Sequence, residues 1–434
     1  MRVQQQQPAS NHTTSTMPKT DIFLAIWLLV LPISSIILIP SQKGTTPAYM
    51  LSFLSIPFGL LMVPRKRGVY LAYFTLSIVV FVAMNAAAQL GDSVISSLDF
   101  STLTMLNPYE NGDVLRPSMF TQSLYMLASL AAFVFIYVFY KKERHDRYAI
   151  TGAVLLAMYG LYEFVFYLLF NQSGDFLSNR TFGHGGAEGL GSYFQIIHLG
   201  GISLERLKSL TGEPSMYAFT VLPFFIYALH TKRKIVAILL FATLMLSTAT
   251  TAILGLLVYM IARIRYYGIK DRLIWSGLAI TLVGVAVGGT IVADFYSQMI
   301  VDKVTLTSFS GMDRFTMFTN HLAFFRDAPF WTKMFGIGFG YVRSADMFST
   351  ILVNNGLVGL SVFTALFAYP VMLLSRADYR SMGIKLALVV IYVTMMVSVT
   401  EYSYLSIWLF LGMAYGELRL QRLHKRGLAE HRNE

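Results

Sequence analysis

Cysteine is absent from the chain. Its absence excludes disulfides, thiolate nucleophiles and thiolate metal sites together. Charge is also scarce: Asp, Glu, Lys and Arg make up 13% of the 434 residues, about half the ~25% of an ordinary soluble domain. With 55% hydrophobic residues and so few charges, most of the chain has lipid for its solvent. Acidic residues are the rarer sign, 23 against 34 basic. In a soluble protein the resulting +11 would raise the question of nucleic acid, but here the charges sit in places that give another answer.

What is abundant is apolar sequence in runs of roughly 17–25 residues, the length an α-helix needs to cross a ~30 Å hydrocarbon layer. They fall near 22–39, 48–63, 69–90, 119–140, 148–170, 215–229, 235–247, 251–262, 273–293, 350–374, 384–400 and 405–418. The expected fold class is an all-α polytopic membrane protein of about twelve transmembrane helices. The first run is longer than a signal-peptide core and no small-residue cleavage site follows Pro40, so it reads as retained. Residues 1–20 are polar and Gln-rich and read as a disordered tail. Residues 21–418 read as a single transmembrane domain and 419–434 as a basic tail.

The segments PRKRG (64–68), KKERHDR (141–147), HTKRK (230–234), RIRYYGIKDR (263–272), SRADYR with Lys385, and the C-terminal LQRLHKRG fall on alternate connections. Together with the two tails they hold 24 of the 34 Lys and Arg. The positive-inside rule then places these segments and both termini in the cytoplasm of a bacterial inner membrane. Basic clusters beside membrane helices meet anionic headgroups, so membrane lipids are the partner this charge implies, and no nucleic-acid site is assigned. One stretch resists simple alternation: residues 235–262 leave only 28 positions between two basic segments on the same side, too few for two crossings of about 20 residues. A short or re-entrant helix pair fits, with Ser247, Thr248, Thr250 and Thr251 at its tip.

Alternation leaves a short loop after Pro40 and the stretches 91–118, 171–214 and 294–349 outside, the last two long enough to hold a site and short amphipathic helices. Ten basic residues stay outside against the topological bias, among them Arg180, Arg206, Lys208, Arg314, Arg326 and Arg343, beside Glu188, Glu205, Glu213, Asp313, Asp327 and Asp346. Anion binding gives such arginines a purpose, and structural ion pairs are the alternative. The loop RTFGHGGAEGLG (180–191) sets Arg180, His184 and Glu188 on glycine-rich backbone suited to moving around a large ligand. In RLKSLTGEPSMYA (206–218) Pro214 is a first-turn proline that puts Glu213 at the positive end of a helix dipole. There it either caps the helix or accepts a proton from an attacking hydroxyl.

DRFTMFTNHLAFFRD (313–327) reads as an interfacial amphipathic helix with Phe315, Phe318, Leu322 and Phe325 on one side. Arg314 and His321, seven apart, share another stripe that a ligand headgroup can meet. The backbone N–H groups of GIGFG (336–340) form a candidate anion nest. Glu163 is the clear carboxylate at membrane depth, and is functional, protonated or paired.

GEPSMYA after an upstream arginine, SGMDR before the amphipathic stretch, FGIGFG, and NNGLVGL at 354–360 together resemble the Wzy-type O-antigen and exopolysaccharide polymerases. These belong to a wider superfamily that includes the O-antigen ligases. The likeness covers about 200–375 in motif and the whole chain in topology. It implies transfer of a growing glycan from undecaprenyl diphosphate to the sugar of an incoming lipid-linked repeat unit at the periplasmic face, with no metal or cofactor. An undecaprenyl-diphosphate-linked oligosaccharide and a chain-length regulator protein are the implied partners. Glu213, Arg314, Arg206 and Asp346 are then the catalytic candidates, with Arg180, His184, His321 and Arg343 binding substrate. The ligases typically carry a histidine just before the helix that leads to the GlxG turn; here the stretch reads SADMFST, with Ala345 and Asp346, which favours the polymerase. The rival class is transport, as a lipid-linked glycan flippase or solute carrier, opposed by long external loops and sparse membrane charge.

Overall fold

The computed structural model describes residues 18–430 apart from 41, 43, 62–63, 95–98, 108, 110–114, 178–193, 288, 302–304, 306 and 308. Arg180, His184 and Glu188 therefore lie outside the described residues, as do residues 1–17 of the polar tail. The first helices are α1 (Lys19–Val30), α2 (Pro47–Leu61), α3 (Pro64–Val94), α4 (Pro117–Phe139) and α5 (Lys142–Phe170). Strands β1 (Ile196–Leu199) and β2 (Ile202–Glu205) precede α6 (Pro214–His230), α7 (Lys234–Leu246), α8 (Thr250–Tyr267), α9 (Arg272–Val287) and α10 (Gly289–Tyr296). The chain closes with α11 (Phe309–Asp327), α12 (Phe330–Phe335), α13 (Met347–Leu373), α14 (Tyr379–Ser398) and α15 (Leu405–Glu430).

Five helices are long and apolar enough to cross a membrane: Lys66–Gly91, Pro117–Phe139, Lys142–Phe170, Met347–Leu373 and Tyr379–Ser398. Proline opens α4 and α6, where its missing N–H is no loss. Asp346 and Asp378 open α13 and α14 by accepting the N–H groups of Ser349 and Ser381. Helix α6 is buried on every side and forms the axis of the bundle, packed by α7, α8 and α14, while α4 packs on α15. A loop end, built from residues 31–40, 44–46, 99–107, 194–213 and 309–346, caps one side of the bundle, and the opposite end is basic.

Several expected boundaries move. The first apolar run stops being helical at Val30 rather than near residue 39, because Pro32 interrupts it and the N–H groups of Ser34 and Ser35 turn to the carbonyl of Leu210, at 3.3 and 3.2 Å. Lys19 and Thr20, assigned to the tail, are the first turn of α1. The basic C-terminal segment continues α15 to Glu430, as its Leu, Arg, Gln and Lys content favours. Among its described residues the stretch 171–214 contains an antiparallel β-hairpin turned at Gly200 and Gly201 and no helix before Pro214, against the short helix expected there.

The crowded stretch 235–262 is a helical hairpin. Helix α7 has 13 residues, about 20 Å at 1.5 Å per residue, too short for a full crossing. Its turn at 247–249 is held from the loop end: Arg206 donates Nε to the Thr248 hydroxyl (3.0 Å) and Nη2 to its carbonyl (3.1 Å). The Leu207 N–H reaches the Leu246 carbonyl at 3.1 Å.

Candidate functional site

At the loop end the chain builds a polar cavity around a helix that is broken on purpose. Helix α13 loses its helical backbone at Gly356 (φ 63°, ψ −165°), in the middle of NNGLVGL. The break frees carbonyls that the GIGFG loop takes up: the Ile337 N–H bonds to Val353 O (3.0 Å) and the Gly338 N–H to Asn354 O (2.8 Å). Asn354 returns both side-chain functions to Val342, accepting its N–H at 3.0 Å and donating to its carbonyl at 2.9 Å. The Phe339 N–H goes to Asn85 on α3 at 2.8 Å. The expected anion nest is thereby corrected, since the N–H groups of residues 337, 338 and 339 are consumed within the protein. Irregular backbone at this depth is stable where protein encloses it or it borders a cavity.

The cavity has a volume of about 330 Å³ and is lined by the α1–α2 connection (Ser34, Thr46), by Gln122 and Tyr125 of α4, by Arg343, Asn354 and Asn355, and by residues 400–404. Its charged feature is an ion pair between Arg343 and Glu401. Arg343 also donates Nε to the Thr400 hydroxyl at 3.3 Å, and among the described residues its Nη1 has no acceptor. Glu401 receives the guanidinium on Oε1 and the Ser403 hydroxyl on Oε2. Tyr402 donates to Gln122 Oε1 at 2.6 Å, and Tyr49 on α2 donates to the Ser403 carbonyl at 2.7 Å, so the connection 399–404 is fixed from both sides. Burial, reinforced by the charge of Glu401, holds Tyr402 and Tyr404 as neutral phenols. The arrangement offers a carboxylate, a guanidinium with spare donors, phenols and amides in one space: the set that binds sugar hydroxyls and phosphate.

The cavity opens onto an apolar groove. Phe339, Met347, Ile351, Asn355 and Tyr402 border both. The groove, about 480 Å³, runs between α3, α4, α13 and α15 past Leu76, Val80, Met126, Leu130, Phe363 and Leu366.

Of the candidate catalytic and substrate-binding residues among the described ones, Arg343 alone lines this cavity, joined there by Phe339 and Gly340 of GIGFG and by Asn354 and Asn355 of NNGLVGL. Glu213 stands at the start of α6, accepts the Ser215 hydroxyl, and lies within electrostatic reach of both Arg206 and Arg343. Arg206 is spent on Thr248 and on Gln195, the latter at 2.6 Å. Asp346 is an N-cap, accepting the Ser349 N–H at 2.7 Å and the hydroxyls of Ser344 and Ser349 at 3.2 and 2.7 Å. Arg314 and His321 do not share an exposed stripe. Arg314 is exposed and donates to the Ser398 carbonyl at 3.0 Å, whereas His321 is fully buried with Nδ1 at 2.7 Å from Met317 O. Burial keeps that imidazole neutral. Among the described residues no group of three His, Asp or Glu is placed to hold a metal ion.

A second set of charges is structural. Lys208, fully buried, lies 3.0 Å from Asp175 and 3.6 Å from Glu163, so the membrane carboxylate is paired. Glu205 is buried beside them, and among the described residues neither of its oxygens meets a donor. Burial first, and the Glu163 charge second, push its carboxyl up to about 8, against the pull of Lys208. A folded-state value above the unfolded one means that the folded protein holds this proton more tightly. Its contribution to stability is complete below about pH 4.5 and is lost as the pH rises toward about 8. Thermal denaturation of the purified protein is expected to fall across that window, and Glu205→Gln to flatten the fall; an identical slope in the variant would assign the pH dependence to another group.

No family model, no curated protein and no solved structure matches this chain.

Proposed function

We propose that this chain is a bacterial inner-membrane polysaccharide polymerase. It transfers a growing glycan from undecaprenyl diphosphate to a sugar hydroxyl of an incoming lipid-linked repeat unit. In this reading the chain makes about twelve passes, the α7–α8 pair among them as a short re-entrant hairpin, the loop end faces the periplasm, and both termini are cytoplasmic. One observation carries the proposal: a polar cavity with an arginine and a carboxylate is continuous with an apolar groove along the membrane helices. That pairing fits an amphiphile with a charged, sugar-bearing head and a long hydrocarbon tail.

Arg343 is assigned to the diphosphate through its spare donors. Glu401 takes the acceptor proton as the acceptor oxygen bonds to the anomeric carbon and the carbon–oxygen bond to diphosphate breaks, its electron pair leaving on the phosphate. Arg314, bonded to Ser398 at the end of α14, acts as a positioning residue for the connection that bears Glu401. A chain-length regulator is the protein partner that the resemblance implies.

The test uses purified protein in detergent with lipid-linked repeat units as the sole substrate. Polymer is expected without nucleotide sugar. Translocation of the lipid in proteoliposomes with no linkage formed in any condition would hand the assignment to transport, and transfer to an unrelated acceptor alone would favour the ligase.

A further inference from the structure

The basic end of the bundle holds two joined cavities that the proposed reaction does not use. One, of about 320 Å³, is bordered by Lys66, Lys142 and Arg419; the other, of about 250 Å³, by Arg419 and Arg422 with a set of tyrosines. They share Tyr137, Arg419 and Leu423. Several charges nearby are already balanced, and with Glu143 also bordering the first cavity the lining still carries more basic than acidic residues. Arg380 bonds Asp146 and Glu417, and Lys141 bonds Asp21 at 3.1 Å. Lys66, Lys142, Arg419 and Arg422 form no ion pair among the described residues. Lys66 uses one donor on the Val138 carbonyl at 2.9 Å and retains two. Arg422 bonds the Tyr369 hydroxyl, and Arg419 stands 5.8 Å from the centre of the Tyr137 ring.

Two of the tyrosines tell where this space leads. Tyr369 and Tyr415 border both the second basic cavity and the apolar groove. An occupant with its head among Lys66, Arg419 and Arg422 thus has hydrocarbon-lined space directly beside it. Tyrosines at such a boundary suit the junction of headgroup and acyl chain.

We propose that Lys66, Lys142, Arg419 and Arg422 hold the phosphate headgroup of an anionic phospholipid whose acyl chains enter the groove alongside the stacked pair Tyr369 and Tyr415. The charge is of the right sign, the excess is unpaired, and the cavity is joined to apolar space, which a free phosphate does not need. The headgroup end of this site lies at the opposite end of the bundle from the reaction proposed above and can be judged without it, and its acyl chains share the groove assigned there to the substrate's hydrocarbon tail.

The experiment is lipid retention on the full-length protein by native mass spectrometry, with matched phosphatidylglycerol and phosphatidylcholine, alongside thermal denaturation in the same lipids. The wild type is expected to prefer phosphatidylglycerol. The double variant Arg419→Glu/Arg422→Glu is expected to lose about tenfold or more of that preference, with its melting temperature in phosphatidylcholine unchanged. Glu401→Gln, at the other end of the bundle, is expected to keep it. Equal retention of the two lipids by the wild type, or an unaltered preference in the double variant, overturns the site. Inorganic phosphate reproducing the stabilisation in full makes it a free-anion site and overturns the lipid assignment. If the double variant does not fold, Arg419→Gln/Arg422→Gln is measured in its place, against the same outcomes.

Discussion

Glu401→Gln is expected to lower polymer formation by about 100- to 1000-fold, the ~2.7–4 kcal/mol typical of removing one group that meets developing charge, with membrane abundance unchanged. The substitution keeps shape and removes the only carboxylate bordering the cavity among the described residues. Its ion pair with Arg343 contributes little to folding, because the Arg343 side chain is 44% exposed and such pairs are screened by solvent. Activity and stability therefore separate in this experiment. Arg343→Lys is expected to lose most of the activity as well: a lysine supplies charge but not the fork that engages Thr400, Glu401 and a phosphate together. Polymer of normal length and amount from Glu401→Gln, at normal abundance, would remove this pair from the chemistry.

Gly356→Ala is expected to fail earlier, at folding. At φ 63° and ψ −165° the residue occupies backbone space that side chains avoid, at a cost of ~1–3 kcal/mol. A Cβ there would also stand 2.4 Å from the Met334 carbonyl carbon and oxygen, which are backbone and cannot swing away. Gly336 meets the same obstacle from the other side, its Cβ falling 2.3 Å from Asn354. The two glycines let the end of α12 lie against the broken helix. A loss of about 3 kcal/mol or more follows, large beside a typical total stability of 5–15 kcal/mol. Membrane abundance and thermal melting of Gly356→Ala are the readout. A variant as stable as the wild type would mean that the loop can withdraw, and that the cavity floor is less constrained than its contacts imply.

The helices were legible because lipid demands long apolar runs, and the short α7–α8 hairpin because two basic segments stood too close for two crossings. Proline in front of α6 gave its first residue. The β-hairpin carried a plain signal, IIHL and ISLE around Gly200–Gly201, but four-residue strands are easily passed over in a chain of helices. Glu401 was missed for a different reason. It sits in a connection of a few residues between two apolar runs, whereas the long loops are where length and polarity point to chemistry. Nothing local in EYSY marks a site. The cavity is assembled from Ser34, Gln122, Arg343 and Glu401, residues joined only by packing. Hydrophobic periodicity likewise gave α11 its helix, but not which way His321 would face. Asp346 and Arg206 look alike in sequence to residues that bind ligand; what distinguishes them is the capping bonds and the hairpin turn that already occupy them.

The pinned turn of the α7–α8 hairpin bears on how the protein is made. Its anchors, Arg206 and Leu207, precede the turn by about forty residues, the Arg206–Thr248 contact spanning 42 positions. They leave the ribosome before the turn does. A hairpin with an arm too short to span the bilayer is a poor substrate for independent insertion, yet it can dock laterally onto a partner already present. The expected order of biogenesis follows from this: α5, the segment around Lys208 and α6 first, and the hairpin joining them as a late wedge rather than as two autonomous crossings. Truncations ending shortly after α6 would stop at a stage with its docking surface complete and its wedge missing.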